Sequence, residues 1–552
     1  LNESSRKDWS LAERLESAAI QPGWTATEPA PDTAPAPTHR ESTLDAPGLP
    51  AWVDRVTFGH LTALTAVMAT IMAAAFLATP VSAHLNGLVQ VVETAGAIER
   101  VALWQRAVLN LLGFDPNADF PALNKAVLAY TVRLAYLGMF AAQALAFIVA
   151  LRAPAIPFWK WLIGPILAHL GMLLMPPSNA DVFFYAVTGD LALNDINPYV
   201  HRMSEYPDNP FLPYNHWVDM TAVYGPFWTA VNSGMVWVTG PNPALAALAF
   251  KLFLGAFAVA LAVLSWWFVL QLTRSTRFAT AAGVLVAWQP NLIVESTGLA
   301  HNDPVMLLLS IAGIMLAILG GVRAIRGGVV LVTLSALVKY TSLPLLGLLG
   351  LARLSDRKEP DAPRRIITSW LFDGVAIAAV LLACFVPFWA GMQTIREMLT
   401  EPGRLFSSPL YLYPKVLIEH LGPNSIAHQF ERITSVVIQI AAIIITLVTI
   451  LWFGRQAWNL AGRPSLNDFP GWTRPMLAAW AIITTTLALL PVNSHPWYWT
   501  WPVVPIAVYV CYDAASAAPQ PSGTFRLPRW LWIYLAATCV MTIAYHTRIV
   551  HP

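Results

Sequence analysis

Apolar runs of about 20 residues recur along this 552-residue chain and constrain its fold more than any other feature. They lie at roughly 58–82, 126–151, 157–175, 244–272, 278–298, 304–321, 327–352, 367–391, 433–454, 474–492, 498–513 and 529–546. A helix of that length matches the hydrocarbon thickness of a bilayer and satisfies its own backbone polar groups, which lipid cannot do. Period-two alternation, the mark of an outer-membrane barrel, is absent. Charged residues make up 12% of the chain, about half the ~25% of soluble domains. The expected fold class is therefore an all-α polytopic membrane protein, with the lipid bilayer as its first partner. A net charge of +2 gives no reason to expect nucleic acid. Cys384, Cys511 and Cys539 all lie in apolar runs and imply neither a disulfide framework nor a zinc site. Residues 1–50 are a different material, rich in Pro, Ala and Thr after a short amphipathic stretch. They are expected to form a disordered tail preceding the membrane domain, 51–552.

Orientation follows from Lys and Arg in the short loops, which favour the cytoplasm. One parity gathers sixteen of them on one side, from Arg152 and Lys160 through Arg326 and Arg353 to Arg526 and Arg529. The opposite short loops, 299–303 and 493–497, carry none. Two consequences follow. The segment 226–243 does not cross, and is expected to be an interfacial or re-entrant helix outside. The run 327–352 must cross twice as a short hairpin bent near Lys339-Tyr340-Thr341 and Pro344; the alternative, one long tilted helix, would invert everything downstream. The expected count is then about 13 helices, with the tail cytoplasmic.

This topology brings four polar stretches to the outer face: 176–228 as the main loop, 295–303, the second loop 392–432, and 493–501. The loop 84–125 is also outside, with an amphipathic stretch suited to lying on the membrane.

Several residues in these stretches invite chemistry. Asp181 follows directly on an apolar run; a carboxylate at a helix mouth is costly to desolvate, and partial burial suits a general base. A helix cap is the bland alternative. His301-Asn302-Asp303 is a dense polar triplet between two apolar runs. An N-cap role, with Pro304 in the first turn, explains Asp303 but neither His301 nor Asn302. Glu295, with Gln289 and Asn291, puts a polar stripe on the outer half of one helix, which suggests a cavity lining. Lys339 at the bend and Lys251 in its helix each need an anion: a lipid phosphate, or an internal partner such as Glu295. His495, Trp497 and Tyr498 can stack on a sugar or gate a lipid, whereas Trp499 and Trp501 read as an interfacial belt. Arg404, with Arg396 and Lys415, offers outer-face charge for phosphate, although solvation explains it as well. No Walker loop, dinucleotide fingerprint, HExxH or GxSxG is present. An enzyme working outside without a nucleotide site needs another activated donor, and a lipid-linked one meets that need.

Asp181-Val182-Phe183-Phe184-Tyr185, Gly189, Asn197-Pro198-Tyr199 and Tyr224-Gly225-Pro226 resemble the large extracytoplasmic loop of the GT-C glycosyltransferases. More narrowly they resemble bacterial polyprenol-phosphate-mannose-dependent α-(1→6)-mannopyranosyltransferases. Gln289-Pro290, Glu295, Gly298, His301-Asn302-Asp303, Leu337-Val338-Lys339-Tyr340 and Pro496-Trp497-Tyr498 are similar to motifs of the same group. The likeness spans about 176–510. It implies a GT-C-like fold in a bacterial plasma membrane, with the active site on extracytoplasmic loops. It implies transfer of a sugar, mannose in this group, from a polyprenyl phosphate to a glycan or glycolipid acceptor, with inversion. Asp181 would be the base, and Lys339, with Lys251 or Arg404, would meet the leaving phosphate. Tyr185, Asn197, Tyr199, Tyr224, Glu295, His301, Asn302, Asp303, His495, Trp497 and Tyr498 would shape the sugar and acceptor sites. Some members need a divalent metal; this sequence has no evident hard-cation cluster, so the cofactor question stays open. Two other readings compete. A secondary transporter or lipid-linked-sugar flippase predicts internal repeats, which are not evident. A polymer ligase predicts a lipid-diphosphate donor.

Overall fold

The structure is a computed structural model that describes residues 55–78, 97–113, 125–153, 156–177, 181–400, 407–517 and 527–547. Arg404 and the tail 1–50 lie outside the described residues. Among the described residues the regular structure is helical. The first four helices are α1 (Phe58–Ala78), α2 (Ala97–Leu111), α3 (Lys125–Arg152) and α4 (Phe158–Met172). A loop domain follows, made of α5 (Asp181–Leu193), irregular chain and α6 (Pro226–Thr239). Next come α7 (Pro243–Thr273), α8 (Thr276–Ala287), α9 (Asp303–Leu319), α10 (Gly321–Ala336) and α11 (Leu343–Ala352). The chain then forms α12 (Ala362–Phe385), α13 (Gln393–Thr400), α14 (Pro409–Leu421) and α15 (Asn424–Asn459). It ends with α16 (Thr473–Leu489), α17 (Val503–Ala517) and α18 (Arg529–Thr547).

Five of the described helices are long and apolar enough to cross a bilayer, within α1, α3, α7, α12 with its 3₁₀ extension, and α15. The protein is a multi-pass membrane protein. Other expected crossings are shorter or broken, among them α8 with 12 residues, α9 with 17, α10 with 16 and α11 with 10. The run 278–298 is the clearest departure from the sequence reading. It is not one helix carrying a polar stripe. α8 stops at Ala287, a single turn Pro290–Ile293 follows, and Val294–Gly298 forms a π-turn. Pro290, which has no N–H to donate, starts the new turn, and the Gln289 side chain caps it by accepting from the Asn291 N–H at 2.7 Å. π-turns gather at functional sites because they re-aim side chains. Here the turn leads to Ala300, a non-glycine residue at φ 61°, a strained conformation costing about 1–2 kcal/mol. Ala300 is fully buried and holds the corner before His301.

The run 327–352 is broken where the sequence places the bend. α10 ends at Ala336, Lys339 is extended (φ −151°, ψ 124°), and a 3₁₀ turn over Tyr340–Ser342 leads into α11. Arg326, early in α10, and Arg353, at the end of α11, both meet Asp373 of α12, at 3.6 and 2.9 Å. The two ends of the stretch therefore come back to one carboxylate, as a hairpin requires. Buried hydroxyls tie the bend down: Ser335 lies 2.8 Å from both Ser310 and Ser342 and donates to the Met306 carbonyl at 2.7 Å. Small residues let α9 and α10 pack backbone to backbone, with Gly313 and Gly328 facing each other across the contact. α2 does not simply lie flat: it buries Arg100, Val101, Trp104 and Val108 and leaves Leu111 exposed.

One glycine joins the loop domain to the bend. A Cβ on Gly225 would collide with the Leu337 carbonyl, and the Trp228 N–H donates to that same oxygen at 3.3 Å. Both partners are backbone, so neither can swing aside. Gly225→Ala is expected to push Tyr224 away from the bend and to lower the thermal midpoint of the purified protein. An unchanged midpoint would mean that this contact is slack.

Candidate active site

Asp181 is the first residue of α5, where the helix dipole favours a carboxylate. It is buried, and three side chains converge on its Oδ2: the Tyr224 hydroxyl donates at 2.9 Å, the Tyr185 hydroxyl lies at 3.5 Å, and His301 Nδ1 at 3.3 Å. Burial alone pushes this carboxyl up. The His301 hydrogen bond and charge, the Tyr224 hydroxyl and the Lys339 charge outweigh it, so Asp181 titrates below its ordinary range. Burial and the Asp181 charge push Tyr224 well up, which keeps its phenol protonated and donating.

The second carboxylate, Asp303, opens α9. It does not cap that helix with its side chain. Its Oδ1 instead accepts from Lys339 Nζ at 2.9 Å and from the Trp501 indole N–H at 2.6 Å. The internal partner of Lys339 is therefore Asp303 and not Glu295. The ammonium sits among three rings, 4.6 Å from the Tyr498 centroid, 5.3 Å from Trp501 and 5.9 Å from Tyr224. Lys339 is the more accessible member of the pair, with 13% of its side chain exposed against 2% for Asp303. Its remaining N–H groups can reach an incoming anion. Asn302 is fully buried, yet neither its amide oxygen nor its nitrogen has a hydrogen-bond partner among the described residues; the same holds for Asp303 Oδ2. Buried polar atoms are normally paired, so three unpartnered ones beside Lys339 and Asp181 are able to meet a polar ligand.

Behind Asp181, His301 stacks on Trp497 (centroids 3.9 Å apart, 17°), and Trp497 stacks on His495 (4.3 Å, 3°). Glu295 faces the far side of His301, at 3.4 Å from Nε2. Asp181, Tyr185, Tyr224, Glu295, His301, Asn302, Asp303, Lys339, His495, Trp497 and Tyr498 are thus brought together. Three other candidates stand elsewhere. Lys251 hydrogen-bonds the Leu173 and Met175 carbonyls at the end of α4 and lies 4.2 Å from the Trp104 ring, which makes it a buried helix cap. Tyr199 donates to the Tyr224 carbonyl at 2.8 Å and so holds Tyr224 from behind. Asn197 clamps the Phe388 carbonyl at 2.7 Å and lines a cavity of about 420 Å³ between α6 and α12, to which Asp181 does not contribute.

Three participants went unread in the sequence. Trp501 is no interfacial belt residue: it is buried on Asp303, and Trp499 is buried with its N–H on Ser494 Oγ at 2.6 Å. Arg100 of α2 is buried near enough to feel the Asp181 charge and donates to the Tyr214 carbonyl at 2.7 Å. Burial pulls its guanidinium down to about 10, with Glu99 and Asp181 acting the other way. A charged residue in register with Trp104 and Val108 was the available signal. His546 of α18 is the third; it offered no signal in the sequence. Among the described residues no group of three His, Cys, Asp or Glu side chains is placed to hold a metal ion.

The electrostatics carry a pH prediction. A carboxyl with a lowered folded pKa adds stability above its unfolded pKa and loses it as pH falls through the folded value. If Asp181 acts as base, kcat/KM should stay level as pH drops to the ordinary aspartate value of about 3.9 and fall only beyond it. His301→Gln removes the largest force opposing burial, so the acid limb should move upward. A limb in the same place in both pH–rate profiles would show that His301 does not hold the charge on Asp181.

The model of the α-(1→6)-mannopyranosyltransferase N-terminal domain matches residues 94–355, the segment that supplies Asp181, Glu295, His301, Asp303 and Lys339. Alpha-(1->6)-mannopyranosyltransferase A of Mycobacterium tuberculosis is 24% identical over 402 residues, covering 68% of this chain and 72% of that protein. The A enzyme of Corynebacterium glutamicum is 22% identical over 394 residues, covering 66% and 70%. The B enzyme of the same organism is 22% identical over 384 residues, covering 63% and 58%.

Proposed function

We propose that the chain is a membrane glycosyltransferase like the α-(1→6)-mannopyranosyltransferases it resembles, and that it moves a mannosyl group from a polyprenyl phosphate to a glycan or glycolipid acceptor. The observation that carries this reading is the pairing of a buried carboxylate held ionised, Asp181, with a caged but reachable ammonium, Lys339, across Tyr224. Transfer with inversion needs those two groups on opposite sides of the anomeric carbon. Asp181 takes the proton of the acceptor hydroxyl. The freed oxygen pair bonds to the anomeric carbon while the carbon–phosphate oxygen bond breaks. The leaving phosphate gathers charge beside Lys339, where a fixed cation in a dry, aromatic-lined site acts at full strength. Asn302 and Asp303 Oδ2 hold sugar hydroxyls. The aromatic stack of Trp497 and His301 keeps water from competing with the acceptor. The extracytoplasmic face follows from the charge parity of the loops.

Purified protein in proteoliposomes tests the reading. We expect transfer from mannosyl polyprenyl phosphate, none from a sugar nucleotide, and none from a sugar lipid diphosphate. The product should carry the opposite anomeric configuration to the donor. Movement of the lipid-linked sugar across the bilayer without a new glycosidic bond would sink the proposal in favour of a flippase. Activity on the diphosphate donor alone would favour a ligase.

A further inference from the structure

Asp181 and Glu295 compete for one imidazole. His301 has Asp181 Oδ2 3.3 Å from Nδ1 and Glu295 Oε2 3.4 Å from Nε2, and its ring is buried and stacked on Trp497. A histidine between two carboxylates cannot favour one without regard to what else the other has. The nitrogen that holds the proton is set by what the second nitrogen meets. Glu295 is buried, and among the described residues neither of its oxygens makes a hydrogen bond of normal geometry. Alone, such a carboxylate would draw the His301 ring toward itself and leave Asp181 with a weaker donor.

A second imidazole stands on its other side. His546, near the end of α18, places Nε2 3.7 Å from Glu295 Oε1, and the same nitrogen lies 3.0 Å from the Tyr136 hydroxyl. Its ring stacks on Tyr136 with centroids 5.1 Å apart. α18 is fixed to the same region by a reciprocal pair: Asn291 Nδ2 donates to Thr542 Oγ1 at 2.9 Å, and Thr542 Oγ1 donates to Asn291 Oδ1 at 3.0 Å. Tyr534 adds a bond to the Trp499 carbonyl at 3.0 Å, and Tyr545 one to His495 at 3.0 Å. The C-terminal helix is thus anchored on both sides of the π-turn that carries Glu295.

We infer that His546 is a positioning residue for the transfer reaction: by engaging Glu295 Oε1 it keeps that carboxylate from drawing the His301 ring away, so that the Nδ1–H stays directed at Asp181. The inference rests on the reading of Asp181 as the base. Among the described residues, the following charged and titratable groups face this line. Asp181 meets Tyr185 and Tyr224, with Lys339 and Arg100 acting on it as more distant charges. Glu295 meets the two histidines, and His546 meets Tyr136 and the edge of Tyr545. His495 faces His301 across the Trp497 ring. Among the described residues no Lys or Arg side chain lies within ion-pair distance of Glu295.

A two-residue cycle tests it, read by pH–rate profiles of the full-length protein in proteoliposomes. His546→Phe keeps a ring against Tyr136 but removes the N–H and the charge. It should lower kcat about tenfold, leave KM for the lipid donor unchanged, and move the acid limb upward. Adding Glu295→Gln removes the competing charge and should return the limb to its wild-type position with most of the rate. A merely structural role predicts additive losses, so additive loss in the double variant overturns the inference. So does a His546→Phe profile that superimposes on the wild type. Asp181→Asn in parallel keeps the two readings distinguishable: if that variant turns over, the base itself is misassigned, whatever His546 does.

Discussion

Asp181→Asn should reduce sugar transfer by about a thousandfold or more while leaving a folded, membrane-inserted protein. General-base catalysis contributes about 10²–10⁴-fold, and an amide cannot take the acceptor proton at any accessible pH. Folding should survive because asparagine keeps the shape and an oxygen that accepts from Tyr224, whose hydroxyl now donates at 2.9 Å. An amide at the first position of α5 still suits a helix start. The loss should appear in kcat, with donor binding retained, since the phosphate is met by Lys339. Asp181→Glu separates presence of the base from its placement. The longer side chain enters a site packed by Tyr185, Tyr224 and His301, so it should retain only a small part of the rate. The measurement is radiolabelled mannose transfer by matched amounts of protein, with chromatographic mobility as the folding control. Turnover by Asp181→Asn within tenfold of wild type would place the base elsewhere.

Much of this site could be read from residues alone, for one reason. A polar group inside an apolar run is expensive in a membrane, so Asp181, the His301–Asp303 triplet and Lys339 each stand out against their surroundings. Partners are another matter. Nothing local says that Lys339 pairs with Asp303 rather than Glu295, because that choice depends on how the bend docks against α9. Lys251 shows the limit of the same argument: a buried ammonium needs oxygen partners, and two carbonyls at the end of α4 meet that need as well as a phosphate would. Hydropathy also hid a break it should have yielded to. Pro290 marks the end of α8 in plain sight, but the apolar residues on either side read as one crossing. His546 lies more than two hundred residues from Glu295 in the chain, and no periodicity connects them. The Trp-rich stretch 497–501 reads as a membrane belt because the signal for a belt is composition, whereas Trp501 is distinguished only by what its N–H meets.

Lys339 is the second position where a large effect is expected, and a single substitution there would be ambiguous. Lys339→Met should abolish most transfer, by about 10²–10³-fold, the usual cost of removing one stabilising group from a developing anion. The same change strands Asp303, which is almost wholly buried and would keep only the Trp501 N–H. An uncompensated buried charge costs about 3–5 kcal/mol, so lost activity alone does not separate chemistry from a damaged fold. Removing both charges resolves this. In Lys339→Met with Asp303→Asn the buried pair is gone as a unit, and replacing a whole pair by neutral groups is often close to neutral for stability. The double variant should recover the thermal midpoint that the single variant loses, and it should still fail to transfer. Lys339→Arg should fold and keep a fraction of the rate, since a planar guanidinium cannot sit as a point charge among Tyr224, Tyr498 and Trp501 as the ammonium does. Near wild-type transfer by the double variant would reduce Lys339 to a counter-ion for Asp303. The leaving phosphate would then have to be met by a cation other than Lys339.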